Sequence, residues 1–325
     1  MKNAYSNHYL MKFTASFIFV LLFAFTATGQ DSLTWINNNA YELKSNSSSA
    51  SNDLSFLLKE LNGKTVVGLG EASHGTREFY DQKARIITYL INQCNFKLLS
   101  FECPQSLIAP INTYVQTGEG NLKELMAHMA LYSTEEIYNL FQLIRQYNQE
   151  KASDEKVLIT GFDHQDYWAD PYTRDKYMTE NLIKTYEVKK SKTMVWTHNV
   201  HIMKDTIANP LTMGSYLSKH FGNAFYAIGF DTFKGTVNVL NDGQFEEYAF
   251  QAKENTFSTL LAQAKYSSFF LPFPIESPFT GTTSLITNIY SNWKELKPLP
   301  IKPGLDFDGI IFIKDTSASM KLSQD

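Results

Sequence analysis

Cysteine is nearly absent: Cys94 and Cys103 are the only two in 325 residues. A disulfide framework is therefore excluded as the source of the fold. The two thiols bracket the strand-like run Phe96 to Glu102. Roughly six extended residues span about 20 Å, too far for a bridge, so no disulfide is predicted. A dominant charge is lacking too. The formal net charge is −4, with Lys and Arg scattered, and nothing in that balance points to nucleic acid. No apolar run is long enough to cross a bilayer as a helix. There is no internal repeat and no low-complexity tract. Two signatures of hydrolytic chemistry are also missing. No His-Glu-x-x-His zinc motif occurs, and Ser73 stands in Glu-Ala-Ser-His-Gly rather than a Gly-x-Ser-x-Gly elbow, so it reads as structural.

What is present begins with a removable address. Lys2, His8 and Lys12 precede an apolar run from Phe17 to Phe25, followed by Ala27-Thr28-Gly29. That order is a charged region, a short hydrophobic region and a small-residue cleavage site, with cleavage expected before Gln30. No Cys follows, so a lipid anchor is not expected. Residues 1–29 are read as a signal peptide and 30–325 as one α/β domain, exported to the periplasm or secreted. Aromatics make up 14% of the chain, enough to line an apolar cleft as well as a core.

The domain is organised around Thr65-Val-Val-Gly-Leu-Gly-Glu-Ala-Ser-His-Gly-Thr-Arg-Glu-Phe79. Val66 to Leu69 has the length of a buried strand. Gly70 breaks it, and Glu71 and His74 follow three residues apart. Thr76 is the expected N-cap of a helix over 77–93. A carboxylate and an imidazole thus share a strand-to-helix turn, the edge where open α/β sheets bind ligands. Lys83 falls on the packed face of that helix. Helical side chains lean toward their own N-terminus, which aims Lys83 at Glu71 and His74. The competing reading is a stem that snorkels to the rim, and spacing alone leaves both open.

Further strands are expected at 97–102, 157–162, 193–197, 224–230 and 308–313, with two more about Asn241-Asp-Gly243. Residues 104 to 150 carry helical periodicity with a cap at Ser133, read as an insertion covering the C-terminal edge of the sheet. Strand alternating with helix implies a mostly parallel sheet in three α/β/α layers. The strand ends then line up Glu71 and His74, Glu102, Asp163 and His164, and His198 and His201. Four successive strands end in ionisable residues, a pattern that a structural edge does not require.

Two chemistries fit this cluster. A neutral His can take a proton from water as it attacks a carbonyl carbon, while a carboxylate on the other ring nitrogen fixes the tautomer. Alternatively, His74, His198, His201 and a carboxylate could hold a divalent metal. Any single His among them could equally be a core residue, and Asp163 could be a simple helix cap. His128 and His220 read as surface or packing residues.

With these residues in hand, the sequence resembles the erythromycin esterase family. The resemblance rests on Gly70-Glu-Ala-Ser-His-Gly-Thr-Arg-Glu-Phe79 with Lys83, the strand ending at Glu102, and Gly161-Phe-Asp163 with Gln165. It continues through Arg174-Asp-Lys-Tyr-Met-Thr-Glu-Asn-Leu182 and Trp196-Thr-His-Asn-Val-His201. It implies hydrolysis of a carboxylic ester or macrolactone without metal or cofactor, as in antibiotic resistance to macrolides. His74 would be the general base, with Glu71, Lys83, Glu102 and His201 beside it. His198, Asp163, His164, Tyr80 and Trp168 would meet a small-molecule ester. The segment from Glu102 to His198 is shorter than in the macrolide-cleaving enzymes, which extends the expectation to other bulky or surface-carbohydrate esters. Related folds include haem-binding proteins, so a non-catalytic binding function is the remaining alternative.

Overall fold

The structure is a computed structural model that describes residues 31–44, 51–292 and 295–323. The leader expected over 1–29 lies outside them. In chain order the strands are β1 (Tyr41–Glu42), β2 (Val66–Leu69), β3 (Leu98–Pro104), β4 (Leu158–Asp163), β5 (Thr193–Trp196) and β6 (Phe225–Asn241). They continue with β7 (Gln244–Gln251), β8 (Ser268–Pro272), β9 (Ser284–Ile286), β10 (Leu299–Ile301) and β11 (Gly309–Thr316). The helices are α1 (31–39), α2 (Leu57–Glu60), α3 (Arg77–Gln93), α4 (Gln105–Thr117), α5 (Leu122–Met126) and α6 (Glu135–Gln149). After them come α7 (Pro171–Lys189), α8 (Asn199–Ile202), α9 (Met213–Phe221) and α10 (Phe257–Leu261).

Nine strands form one sheet in the order β1-β8-β11-β6-β2-β5-β3-β4, with β7 added to β6. From β11 to β4 every neighbouring pair is parallel. β1 and β8 pair antiparallel beyond β11, and β7 pairs antiparallel with the far half of β6. Because successive strand residues face opposite ways, each strand feeds two cores. Val67, Leu69, Met194, Trp196 and Ile311 pack with α3, α4 and α6. Val66, Val195, Ala227, Ile310 and Phe312 pack with α7 and α9 on the other face. That is the three-layer α/β/α arrangement expected from the alternation. Among the described residues no helix is long and apolar enough to cross a membrane.

Three local expectations change. Helices α4 and α6 bury Ile108, Ile111 and Val115, and Ile137, Leu140, Phe141 and Ile144. They therefore lie along the sheet face, α4 against β4 and α6 against α3. The turn between α5 and α6 reaches the cleft at the strand ends, together with Leu107 near the start of α4. The strands expected at 224–230 and beyond 235 are one continuous strand, β6, whose far half pairs with β7. Its Val237 and Val239 pack on Phe250 and Ile289, which gives that half a small core of its own. Thr76 is the N-cap of α3 as expected, though its hydroxyl bonds the Ser73 hydroxyl and makes no side-chain cap bond. At α6 the cap is Thr134, whose side chain accepts from the Ile137 N–H, rather than Ser133. Cys94 and Cys103 are free thiols, Cys103 buried in β3.

Candidate active site

β5 lies between β2 and β3, and β4 flanks β3, so the four strands with ionisable ends are neighbours. The loop after β2 is held closely. A side chain at Gly70 would come 2.3 Å from Asn199 Oδ1. Asn199 donates its backbone N–H to the Glu71 carbonyl and clasps the Phe230 backbone with its amide. The β2, β5 and β6 ends are thereby knitted together.

Glu71 is buried and serves two partners. Its Oε1 lies 2.6 Å from His74 Nδ1, and its Oε2 accepts from Lys83 Nζ at 2.5 Å. Lys83 is fully buried, donates to the Thr197 carbonyl at 3.2 Å and sits 4.4 Å from the Trp196 ring centre. The ammonium therefore points back to the loop and does not snorkel. Burial pulls its pKa down to about 8, against the opposing pull of Glu71. It remains a cation at neutral pH, and a paired cation is what lets a buried carboxylate stay ionised. With Glu71 on Nδ1, the neutral imidazole carries its proton there and presents Nε2 as a base. Among the described residues Nε2 has no hydrogen-bond partner, and His74 lines a cleft of about 570 Å³.

A second constellation sits beside the first. Arg174, at the start of α7, donates through Nη2 to Glu102 Oε1 at 2.9 Å and to Asp163 Oδ2 at 2.7 Å. Glu102 Oε2 accepts from the Thr197 hydroxyl and the His198 N–H. His201 lies between two carboxylates, with Nδ1 2.7 Å from Asp175 and Nε2 3.2 Å from Glu102 Oε1. Burial works to lower the pKa of His201, but Glu102 and Asp175 outweigh it and raise the value to about 10. It is an imidazolium at neutral pH. The 3.3 Å approach of Arg174 Nη1 to His201 Nε2 is then two donors sharing Glu102, not a hydrogen bond. Burial acts to raise the Glu102 carboxyl, yet His201, His74 and Arg174 hold it well below the usual carboxylate range. Burial acts to lower the pKa of Arg174, but Glu102 and Asp163 raise it.

Not every expected residue meets the cleft. His74, Glu102, Asp163 and Trp168 line it, and Trp168 Nε1 is pinned to Asp163 Oδ2 at 2.8 Å. Lys83 lies behind Glu71, and His201 behind Glu102. His198 is buried, with its ring 4.9 Å from that of His74 and its Nε2 3.2 Å from the Ile289 carbonyl. Burial and the neighbouring His74 push its pKa well below the usual range, so it is a neutral packing partner. Tyr80 is also away from the cleft: it is fully buried and donates to the His74 and Leu131 carbonyls. His164 points outward and caps the turn after β4 through the Asp166 N–H. Both depart from the expected substrate contact, because each side chain is committed to backbone groups elsewhere.

Sequence reading overlooked three residues. Arg174 and Asp175 stood in the family-like block from Arg174 to Leu182 without a site role, and the crossing of α7 over the ends of β3 and β4 brings them in. Tyr132, in an Ala-Leu-Tyr run, was assigned no role. His128, read as surface or packing, lines the cleft mouth. The metal-binding alternative has little room here. The ring nitrogens of His198 and His201 and Nδ1 of His74 are all engaged, and Arg174 supplies the positive charge between Glu102 and Asp163. Among the described residues no three His, Cys, Asp or Glu side chains are grouped so as to hold a metal ion.

Fold and site together define an α/β/α domain with a buried carboxylate–histidine pair at the C-terminal edge of a parallel sheet. The model of the family described as erythromycin esterase matches residues 91–171 and 168–316, more than half of the chain. The protein belongs to the erythromycin esterase family. It is 34% identical over 134 residues to YbfO of Bacillus subtilis (strain 168), a protein assigned as a hydrolase, covering 40% of this chain and 28% of that one. It is 29% identical over 131 residues to erythromycin esterase type II of Escherichia coli, covering 40% and 30%. The matched stretch thus spans under a third of each relative's length. Among solved structures, a Bacillus cereus protein superposes with a TM-score of 0.80 at 22% identity, over 91% of this chain and 99% of that one. A succinoglycan biosynthesis protein gives 0.81 at 20% identity over the same shares. A mutant of the erythromycin esterase EreC in its open conformation gives 0.65 at 13%, over 84% and 96%. At these identities the likeness is one of fold.

Proposed function

We propose that the protein is a hydrolase that cleaves a carboxylic ester or lactone with water activated by His74. The observation that carries this reading is the Glu71–His74 contact of 2.6 Å, which leaves Nε2 as the ring nitrogen for the cleft. Water bound at Nε2 gives up a proton to the imidazole as its oxygen attacks the carbonyl carbon. The carbonyl π electrons move to oxygen, and Arg174, at the cleft surface, stabilises the oxyanion. Collapse breaks the carbon–oxygen bond to the leaving alcohol, which takes the proton from the imidazolium. Glu71 steadies that imidazolium through Nδ1, and Lys83 keeps Glu71 ionised. Glu102 and Asp163 fix the plane of Arg174, while His201 and Asp175 hold Glu102 from behind. No step calls for a metal or cofactor.

The cleft walls favour a bulky ester. Leu107, Met129, Leu131 and Leu240 supply apolar surface and Trp168 an aromatic face. The E. coli relative is an erythromycin esterase, and a structural neighbour is named for succinoglycan biosynthesis. Macrolactones and acylated carbohydrates are accordingly the first substrates to test. The test is mass spectrometry of a panel of both kinds, incubated with wild-type protein and His74→Ala without added metal. The reading expects lactones to gain one water, and acyl esters to split, with wild type only. Turnover retained by His74→Ala would sink the mechanism.

A further inference from the structure

Tyr132 closes the short turn Ala130–Tyr132 between α5 and α6, and its hydroxyl reaches both Glu71 and His74. It lies 3.1 Å from His74 Nδ1 and 3.4 Å from Glu71 Oε1. The Nδ1 proton is already directed at Oε1, 2.6 Å away, so the phenol proton has Oε1 as its acceptor. The tyrosine ring meets the imidazole edge to face at 5.6 Å. Burial, then the charges of Glu71 and Glu102, push the Tyr132 pKa well above its usual value, which keeps the hydroxyl a donor at any working pH.

The segment after β11 fixes this arrangement. The Ser319 N–H donates to the Gly75 carbonyl, beside His74, and the Leu322 N–H donates to the Ser133 carbonyl, beside Tyr132. Between them, Met320 accepts from the Glu135 N–H and donates to Glu136, while Ser317 is held by Glu78. Leu322 is buried in the core under α3 and α6. Residues 317–322 thus stitch the His74 loop to the Tyr132 turn.

We propose that Tyr132 is a positioning residue for His74, its hydroxyl sharing Glu71 Oε1 with the imidazole Nδ1–H and so setting how strongly Glu71 supports the imidazolium. The inference deepens the reading of His74 as the base and rests on it for its catalytic meaning. A donor to Glu71 draws charge from the carboxylate, so removing it leaves more negative charge on Glu71 facing the imidazolium and raises the His74 midpoint. Packing alone would involve the ring and leave that midpoint where it is. The other groups facing His74 stay constant in the comparison. They are Glu71 on its own loop, Tyr80 and Lys83 of α3, Glu102 of β3, Arg174 of α7, and His198 and His201 at α8.

The experiment is a pH titration of His74 by NMR on the full chain with isotope-labelled histidine. The signal is assigned by its loss in His74→Ala. Tyr132→Phe removes only the hydroxyl, and the midpoint should rise by about half a pH unit or more. A fluorinated tyrosine at 132 is a stronger donor and should move the midpoint down. Unchanged midpoints in both proteins, or shifts of the opposite sign, overturn the proposal. The titration needs no substrate, so its failure is separate from a failure to cleave any ester. On an ester that wild type turns over, the acid limb of the kcat/KM profile should move to higher pH in Tyr132→Phe by the same interval as the NMR midpoint.

Discussion

At the residue scale, the site is a question of how a carboxylate stays charged out of water. Glu71 has no exposure, and its two oxygens are claimed by an imidazole and an ammonium. The sequence carried this in one local pattern, because Glu71, His74 and Lys83 lie within a single strand–turn–helix unit. Tyr132, Arg174 and Asp175 were not legible, since their partners lie 61, 72 and 26 positions away in the chain. Nothing near them in sequence marks the contact. The pairing makes a sharp prediction for Lys83→Met. It leaves Glu71 buried without its cation and should cost about 3–5 kcal/mol of stability. Turnover should fall as well, because Glu71 loses the partner that holds it toward His74. Chemical denaturation and an ester assay read the two effects. A variant as stable and active as wild type would mean that Glu71 does not depend on Lys83.

At the scale of elements, the catalytic loop is shaped by what crosses it. Gly75 packs against β6 so closely that a Cβ would lie 1.8 Å from the Asn238 carbonyl oxygen. The Gly75 carbonyl accepts both the Asn238 and Ser319 N–H groups. β6 extends to Asn241 because its far half pairs with β7, so the hairpin expected about Asn241-Asp-Gly243 is the wall that holds the His74 loop. The Asp242-Gly243 turn was legible from residue type, and both residues have positive φ, 48° and 79°, as a two-residue hairpin requires. Gly75→Ala should force the loop or β6 aside, with a loss of about 2–4 kcal/mol and of most activity. Thermal unfolding within a degree of wild type would contradict the close contact.

At the scale of the molecule, the layers follow from strand alternation alone, which is why fold class could be read early. The helical cover could not be sized from the sequence, because an amphipathic helix looks the same on a sheet face as over its edge. Only burial of Ile108, Ile111 and Val115 against β4 shows that α4 belongs to the face. Export stays a proposal from the first residues of the chain. Cell fractionation with mass analysis of the mature protein checks it, expecting material that begins at Gln30 outside the cytoplasm. A cytoplasmic protein retaining Met1 would remove the leader from the account.

The most direct measurement is a single turnover of an ester substrate in heavy-oxygen water, with enzyme in excess, for wild type and His74→Ala. Direct attack by activated water places one heavy oxygen in the acid product during that first turnover, and His74→Ala should give none. Unlabelled acid from wild type would mean that an enzyme carboxylate attacked first. Labelled acid formed as fast by His74→Ala would mean that His74 is not the base.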